Sequence, residues 1–255
     1  MDVREANSLL KVILDIGEEF IKSGAESNRA EDSLYRLCNA YGFRKVNIWL
    51  IPSNIQATVE TPEGEIITQV RYVPLGGYNF DRLDYLNNLS RKACQTTPDA
   101  EGLREMLDEV LARPQLNRWV KYLAGVVGAT SFGIFFNCDA MDAVVVAITA
   151  LFVSIISDKL AKVEGNPLIS NAILSFLAEV FILFCVSVGF GHNPNAITIG
   201  VVMLLIGAIG FTGGLRDLLN RDIIAGGINM TNALLGAMGI ATGIALGMLV
   251  MMGVM

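Results

Sequence analysis

Glu179 is the residue in the most unusual company. It stands near the middle of "ISNAILSFLAEVFILFCVSVGF", residues 169–190, a run otherwise apolar or small. About 20 such residues suffice to cross ~30 Å of hydrocarbon. An ionised carboxylate at that depth costs at least ~2.5–3.5 kcal/mol. Facing a watery cavity, pairing with a donor, or staying protonated would each offset that cost. A carboxyl that takes up and gives back a proton could couple proton movement to transport. The plainer reading is an interhelical hydrogen bond that only holds a bundle together. Asp142, Thr212 and Asn229 are the polar groups expected to line a path with Glu179. Their plain alternatives are solvation at a loop edge, for Asp142, and bonding between neighbouring helices for the other two. Asp139, Thr198, Thr231, Asn232 and Thr242 are open to the same two readings.

Other chemistry finds little support. The sole histidine, His192, falls in a short connecting stretch, and no G-x-S-x-G or Walker A run is present. Cys38, Cys94, Cys138 and Cys185 are far apart and form no C-x-x-C pair, so neither a metal site nor a redox dithiol is expected. The expectation is a non-enzyme without cofactor or metal. A formal net charge of −6 argues against nucleic acid as a partner.

The elements that must position Glu179 follow from an uneven composition. The chain has 255 residues, of which 53% are apolar and 17% charged, and the charges crowd into the first part. This predicts two domains: a soluble α+β domain over 1–118 and a membrane domain over 119–255. Apolar runs predict five transmembrane helices, near 119–137, 140–157, 169–190, 196–215 and 224–253. Asn166-Pro167 and Asn193-Pro194 each place an N-cap before a proline suited to a helix's first turn. Trp119 and Tyr122 suit an interface, with Lys121 reaching outward. Lys159 and Lys162 occupy one connection, and Arg216 and Arg221 another, while the alternate connections and the tail carry no Lys or Arg. The positive-inside rule then puts the N-terminal domain in the cytoplasm and the C-terminus outside.

Glycines add detail. Gly239, Gly243 and Gly247 recur every four residues and form a smooth stripe for close helix packing. The "GAIGFTGGLRD" run instead weakens its helix and could turn backbone groups toward a ligand, as broken transporter helices do.

In the soluble part, helices are expected over 4–22 and 28–42. Strands follow in "VNIWLIP", "NIQATVE" and "EIITQVRYV", then helices near 80–95 and 98–112. The expected fold class is therefore a membrane α-helical bundle of five transmembrane helices preceded by a soluble cytoplasmic α+β domain of order ααβββαα.

The stretch "SGAESNRAEDSLYRL" is the most distinctive. Gly24 can end one helix, Ser27 or Asn28 can cap the next, and Arg29 and Glu31 fall in its first turns. Together with "NFDRLDYLNNLSRKA", "LREMLDEV" and "GGLRDLLNRDIIAGG", it resembles the threonine/serine exporter family over most of the chain. Gly24, Ala25, Arg29 and Glu31 carry the family's Gly-Ala-three-Arg-x-Glu element. The resemblance implies export of small amino acids, or of dicarboxylates such as succinate in related two-component members, with no cofactor. It also implies a domain-docking role for Gly24, Arg29, Glu31, Arg216, Asp217 and Asp222. The Pro-Gly pair that members often carry before the "RD" stretch is replaced here by "IGAIGFTGG". The family's fused form resembles ten spans. A chain with five is expected to be the larger subunit of a split exporter, working with a small five-span membrane partner in a bacterial inner membrane. Inverted repeats would place the substrate site at the interface of the two. The competing reading is a membrane-anchored regulatory or scaffold protein whose soluble domain is the active part.

Overall fold

Apolar residues at helical spacing build the first element, α1 (Val3–Lys22), whose buried face includes Leu9, Leu10, Ile13 and Phe20. Asp2 caps it. In α2 (Ser27–Ala40) the same logic buries Ala30, Leu34, Leu37 and Cys38. A three-stranded antiparallel sheet follows in the order β1 (Arg44–Ile51), β2 (Asn54–Glu60), β3 (Ile66–Tyr72). Ile51 pairs with Asn54 and Glu60 with Ile66. Alternate residues of β2, Ile55, Ala57 and Val59, are fully buried. Two helices complete the set, α3 (Phe80–Thr96), capped by Asn79, and α4 (Ala100–Leu111), capped by Asp99. The computed structural model describes residues 1–74, 76–114 and 116–254.

The chain divides into two compact units, Met1–Pro114 with Gly213–Ile228, and Gln115–Thr212 with Asn229–Met255. In the first unit α1 lies close to α2 and β2. A Cβ on Gly17 would come within 2.7 Å of Leu34 Cδ1 and 3.2 Å of Ile55 Cδ1. Asp15 of α1 ties in two more elements, accepting from Arg71 of β3 at 3.2 Å and Arg104 of α4 at 2.7 Å.

The second unit holds α5 (Arg118–Phe135), α6 (Ala140–Leu160), α7 (Pro167–Ser187) and α8 (Pro194–Val202), with the later part of α10 (Ile223–Val254). α9 (Ala208–Leu219) lies between α8 and α10. α5 and α6 run antiparallel. Tyr122 near the start of α5 donates to Asp158 near the end of α6, while Gly133 near the end of α5 faces Val146 early in α6. α7 and α10 run parallel, since Leu168 meets Gly239, Ser175 meets Gly243 and Glu179 meets Gly247. The glycines at 239, 243 and 247 thus let α10 approach the α7 backbone closely.

The expectation of five transmembrane helices is corrected. Among the described residues, three helices are long and apolar enough to cross a membrane: Ala140–Leu160, Pro167–Ser187 and Ile223–Gly253. The expected first span, α5, has 18 residues and carries Arg118 and Lys121 in its opening turns, which lowers its apolar character. The expected fourth span, 196–215, is two short helices of 9 and 12 residues. The end of α8 tightens, with Leu204 and Leu205 donating to the carbonyls of Val201 and Val202, three residues back. Gly207 follows and α9 begins only at Ala208. The break falls over residues 203–207, ahead of Gly210, Gly213 and Gly214, which lie inside α9, and it forms without a proline.

Candidate functional site

Glu179 lies on the face of α7 turned toward α8 and α10, and its residue exposure is 1%. The α7 residues one turn apart along that face meet glycines of α10, Asn171 at Gly236, Ser175 at Gly243 and Glu179 at Gly247. A Cβ on Gly247 would sit 2.8 Å from Glu179 Cβ, so the glycine makes room for the carboxyl-bearing side chain. Thr198 of α8 donates its hydroxyl to Glu179 Oε2 at 2.8 Å. Glu179 Oε1 is buried and has no hydrogen-bond partner among the described residues. The arrangement is a buried carboxyl group, half satisfied, held between three helices.

Asp142 is placed elsewhere. It is also 1% exposed, but it stands in the first turn of α6. Its Oδ1 accepts from the backbone N–H of His192 at 2.6 Å and of Asn193 at 3.3 Å, and its Oδ2 accepts from Asp139 N at 3.4 Å. Asp139 Oδ1 in turn accepts from Asp142 N at 2.8 Å, closing a capping box. His192 Nδ1 lies 2.7 Å from Asp139 Oδ2. The Asp142 backbone N–H and His192 together hold the Asp139 carboxyl below its usual range. Asp139, Asp142 and His192 bring three possible ligand atoms within 4.8 Å of one another. Backbone donors already draw on both Asp142 oxygens, so the cluster works as a latch between the α6 start and the turn into α8.

Thr212 bonds within its own helix, its hydroxyl donating to the carbonyls of Ala208 and Ile209. Asn229 is half-buried in α10.

The motif residues of the first unit do come together. Gly24 adopts φ +83° after α1, a conformation that L side chains rarely take, and its missing Cβ leaves room for the Tyr78 ring. Glu26 is the N-cap residue of α2, yet its side chain makes no cap bond. It pairs instead with Arg216 of α9, and with Arg29 at 3.4 Å. Glu31 is half-buried; burial first and the nearby Asp222 second push its carboxyl pKa up. Asp217 is buried, and its carbonyl accepts from Asp222 N at 2.9 Å. Arg221 takes φ +67° where the chain turns from α9 into α10. Arg29, by contrast, keeps an 80% exposed side chain.

Two contacts lay beyond sequence reasoning. Thr198 was one of several interchangeable hydroxyls, and only the packing of α8 on α7 selects it. Nothing in the sequence marks Glu26 for Arg216, which is 190 positions away.

No curated protein and no solved structure matches the chain. A family model described as "Putative threonine/serine exporter" matches residues 11–251. That match takes in both units, including the buried carboxyl of α7 and the Gly24–Asp222 cluster, so the chain belongs to the threonine/serine exporter family.

Proposed function

We propose that this protein is a subunit of a secondary-active exporter that moves a small carboxylate-bearing metabolite out of the cell. A threonine- or serine-type amino acid is the leading substrate class, with a dicarboxylate such as succinate as the alternative. Glu179 is the proton-coupling group in this reading, and one observation carries it. A buried carboxyl in a helix long enough to span the membrane keeps one oxygen on Thr198, and the other has no partner among the described residues. A group kept only for cohesion gains by satisfying both oxygens. A group that cycles between protonated and ionised states needs one that is uncommitted.

The protein works, in this reading, with a small five-span membrane partner in a bacterial cytoplasmic membrane. Arg118, Lys121, Lys159 and Lys162 gather where α5 starts and α6 ends, and this basic end is the cytoplasmic one. The N-terminal residues are then cytoplasmic and the end of α10 lies outside. Gly24, Arg29, Glu31, Arg216, Asp217 and Asp222 position elements rather than catalyse. The substitution Glu179→Gln keeps the shape and removes the titration. With the partner present, it is expected to abolish the dependence of export on the proton gradient. Normal export by Glu179→Gln at every imposed gradient refutes the coupling role.

A further inference from the structure

We infer that the basic end of the second unit holds the headgroup of an anionic phospholipid. A cavity of about 520 Å³ there is lined by Arg118, Lys121 and Lys162, with Asp158 as its one acidic side chain. None of these three cations is in an ion pair among the described residues. Asp158 is engaged by the Tyr122 hydroxyl at 2.8 Å. The cavity therefore carries unneutralised positive charge, the property a phosphate group needs.

A second cavity of about 200 Å³ shares Lys121 and Asp158 with the first; Tyr122, Ser154 and Ser157 add polar groups, and Val153, Leu204 and Leu205 form its apolar wall. Charged and apolar walls side by side suit a ligand with an anionic head and an acyl chain, and they suit a free anion less well. The location agrees. Asp158 and Lys159 end a helix long and apolar enough to span the membrane, so the cavity lies at a lipid–water boundary. Trp119 and Tyr122, in edge-to-face contact with centroids 5.8 Å apart, stand at the same level. Basic pockets between membrane helices near the interface are a recognised way of holding anionic headgroups. This inference does not depend on Glu179 or on transport.

Trp119 supplies the readout. The chain has two tryptophans, so Trp49→Phe leaves Trp119 as the single indole. The full-length protein in a zwitterionic detergent is titrated with dioleoylphosphatidylglycerol, dioleoylphosphatidylcholine or glycerol 3-phosphate, following Trp119 emission. A saturable change with the phosphatidylglycerol alone is expected. Each cation near an anionic lipid contributes about fivefold, so neutralising Arg118, Lys121 and Lys162 to Gln together should weaken binding by roughly a hundredfold. Asp158→Asn retains an acceptor for Tyr122 and removes the opposing charge; it should tighten binding by about fivefold, a gain that misfolding cannot mimic. Equal responses to the two lipids, unchanged affinity in the triple variant, no gain in Asp158→Asn, or saturation by glycerol 3-phosphate would each overturn the assignment.

Discussion

Replacing Gly243 by alanine puts a single methyl group where α7 and α10 are closest. The new Cβ would overlap Ser175 Oγ and the Ala172 carbonyl, and would lie 2.8 Å from Phe176 N. Two of those three neighbours are backbone atoms, so no side-chain rotation relieves the overlap. Carbon atoms settle at ≈ 3.5–4.0 Å, so the two helices must separate by roughly 1 Å. Overpacking of this kind costs ~1–3 kcal/mol, and the backbone contacts place it near the upper end. Alanine returns about 1 kcal/mol of helix propensity, leaving a net loss of about 2 kcal/mol. Gly227→Ala is the internal control: it lies in the same helix with nothing within 4 Å of the added Cβ. It should gain up to ~1 kcal/mol from propensity alone. Reversible unfolding of the full-length protein in mixed micelles measures both. A Gly243→Ala protein as stable as wild type, beside a stabilised Gly227→Ala, would show that the stripe is not a packing surface.

Two further outcomes concern the first unit. The raised Glu31 pKa means that the folded state binds its proton more tightly than the unfolded chain. Its stabilising contribution is thus present below the ordinary carboxylate range and is lost as pH rises through the elevated value. Glu31→Gln should therefore raise the melting temperature at pH 7 and lose that advantage near pH 4; an equal effect at both pH values contradicts the burial account. For the Glu26–Arg216 pair, Glu26→Lys should destabilise the protein and impair export, and adding Arg216→Glu should restore both. The coupling in the double-mutant cycle should be ~0.2–1 kcal/mol, because both side chains are partly exposed. Absence of any coupling would separate the pair from domain positioning.

Patterns confined to one element were readable from the sequence. The apolar spacing of 4–22 marks α1, and the Asn-Pro pairs at 166–167 and 193–194 mark the starts of α7 and α8. The count of membrane helices was not readable, because hydropathy averages over a window while a helix break is local. Residues 196–215 carry no charged side chain, yet the turn after Val202 and the non-helical Ile206 and Gly207 divide them. The candidate site was legible as one half of a pair. A lone acid in an apolar run identifies Glu179, but its partner depends on how α8 packs. The partners of Asp142 depend on packing in the same way, since two of them are backbone N–H groups of the turn into α8. Depth and sequence position say little about which backbone N–H groups will meet a carboxylate.

The second unit holds two carboxylates of equal burial, and their surroundings separate what structure needs from what exchange needs. Asp142 accepts from three backbone N–H groups on two segments. Those donors are backbone groups, fixed in place by the fold. Such a group ties the start of α6 to the turn into α8. Glu179 accepts from one hydroxyl, whose hydrogen can rotate away, and its second oxygen has no donor among the described residues. An uncompensated buried charge is destabilising, so either a proton on the carboxyl or a cationic group brought to Oε1 would stabilise this site. Under the proposed function both are at hand, a proton and the ammonium of an amino-acid substrate. The contrast therefore predicts opposite phenotypes for the same conservative change. Asp142→Asn should lower thermal stability, because an amide keeps one acceptor oxygen and turns an NH₂ toward backbone donors. Glu179→Gln should leave stability near wild type or raise it, and impair proton-linked export. If thermal unfolding shows Glu179→Gln to be the more damaging of the two, the carboxyl of α7 is a structural bond and the coupling role passes to some other group.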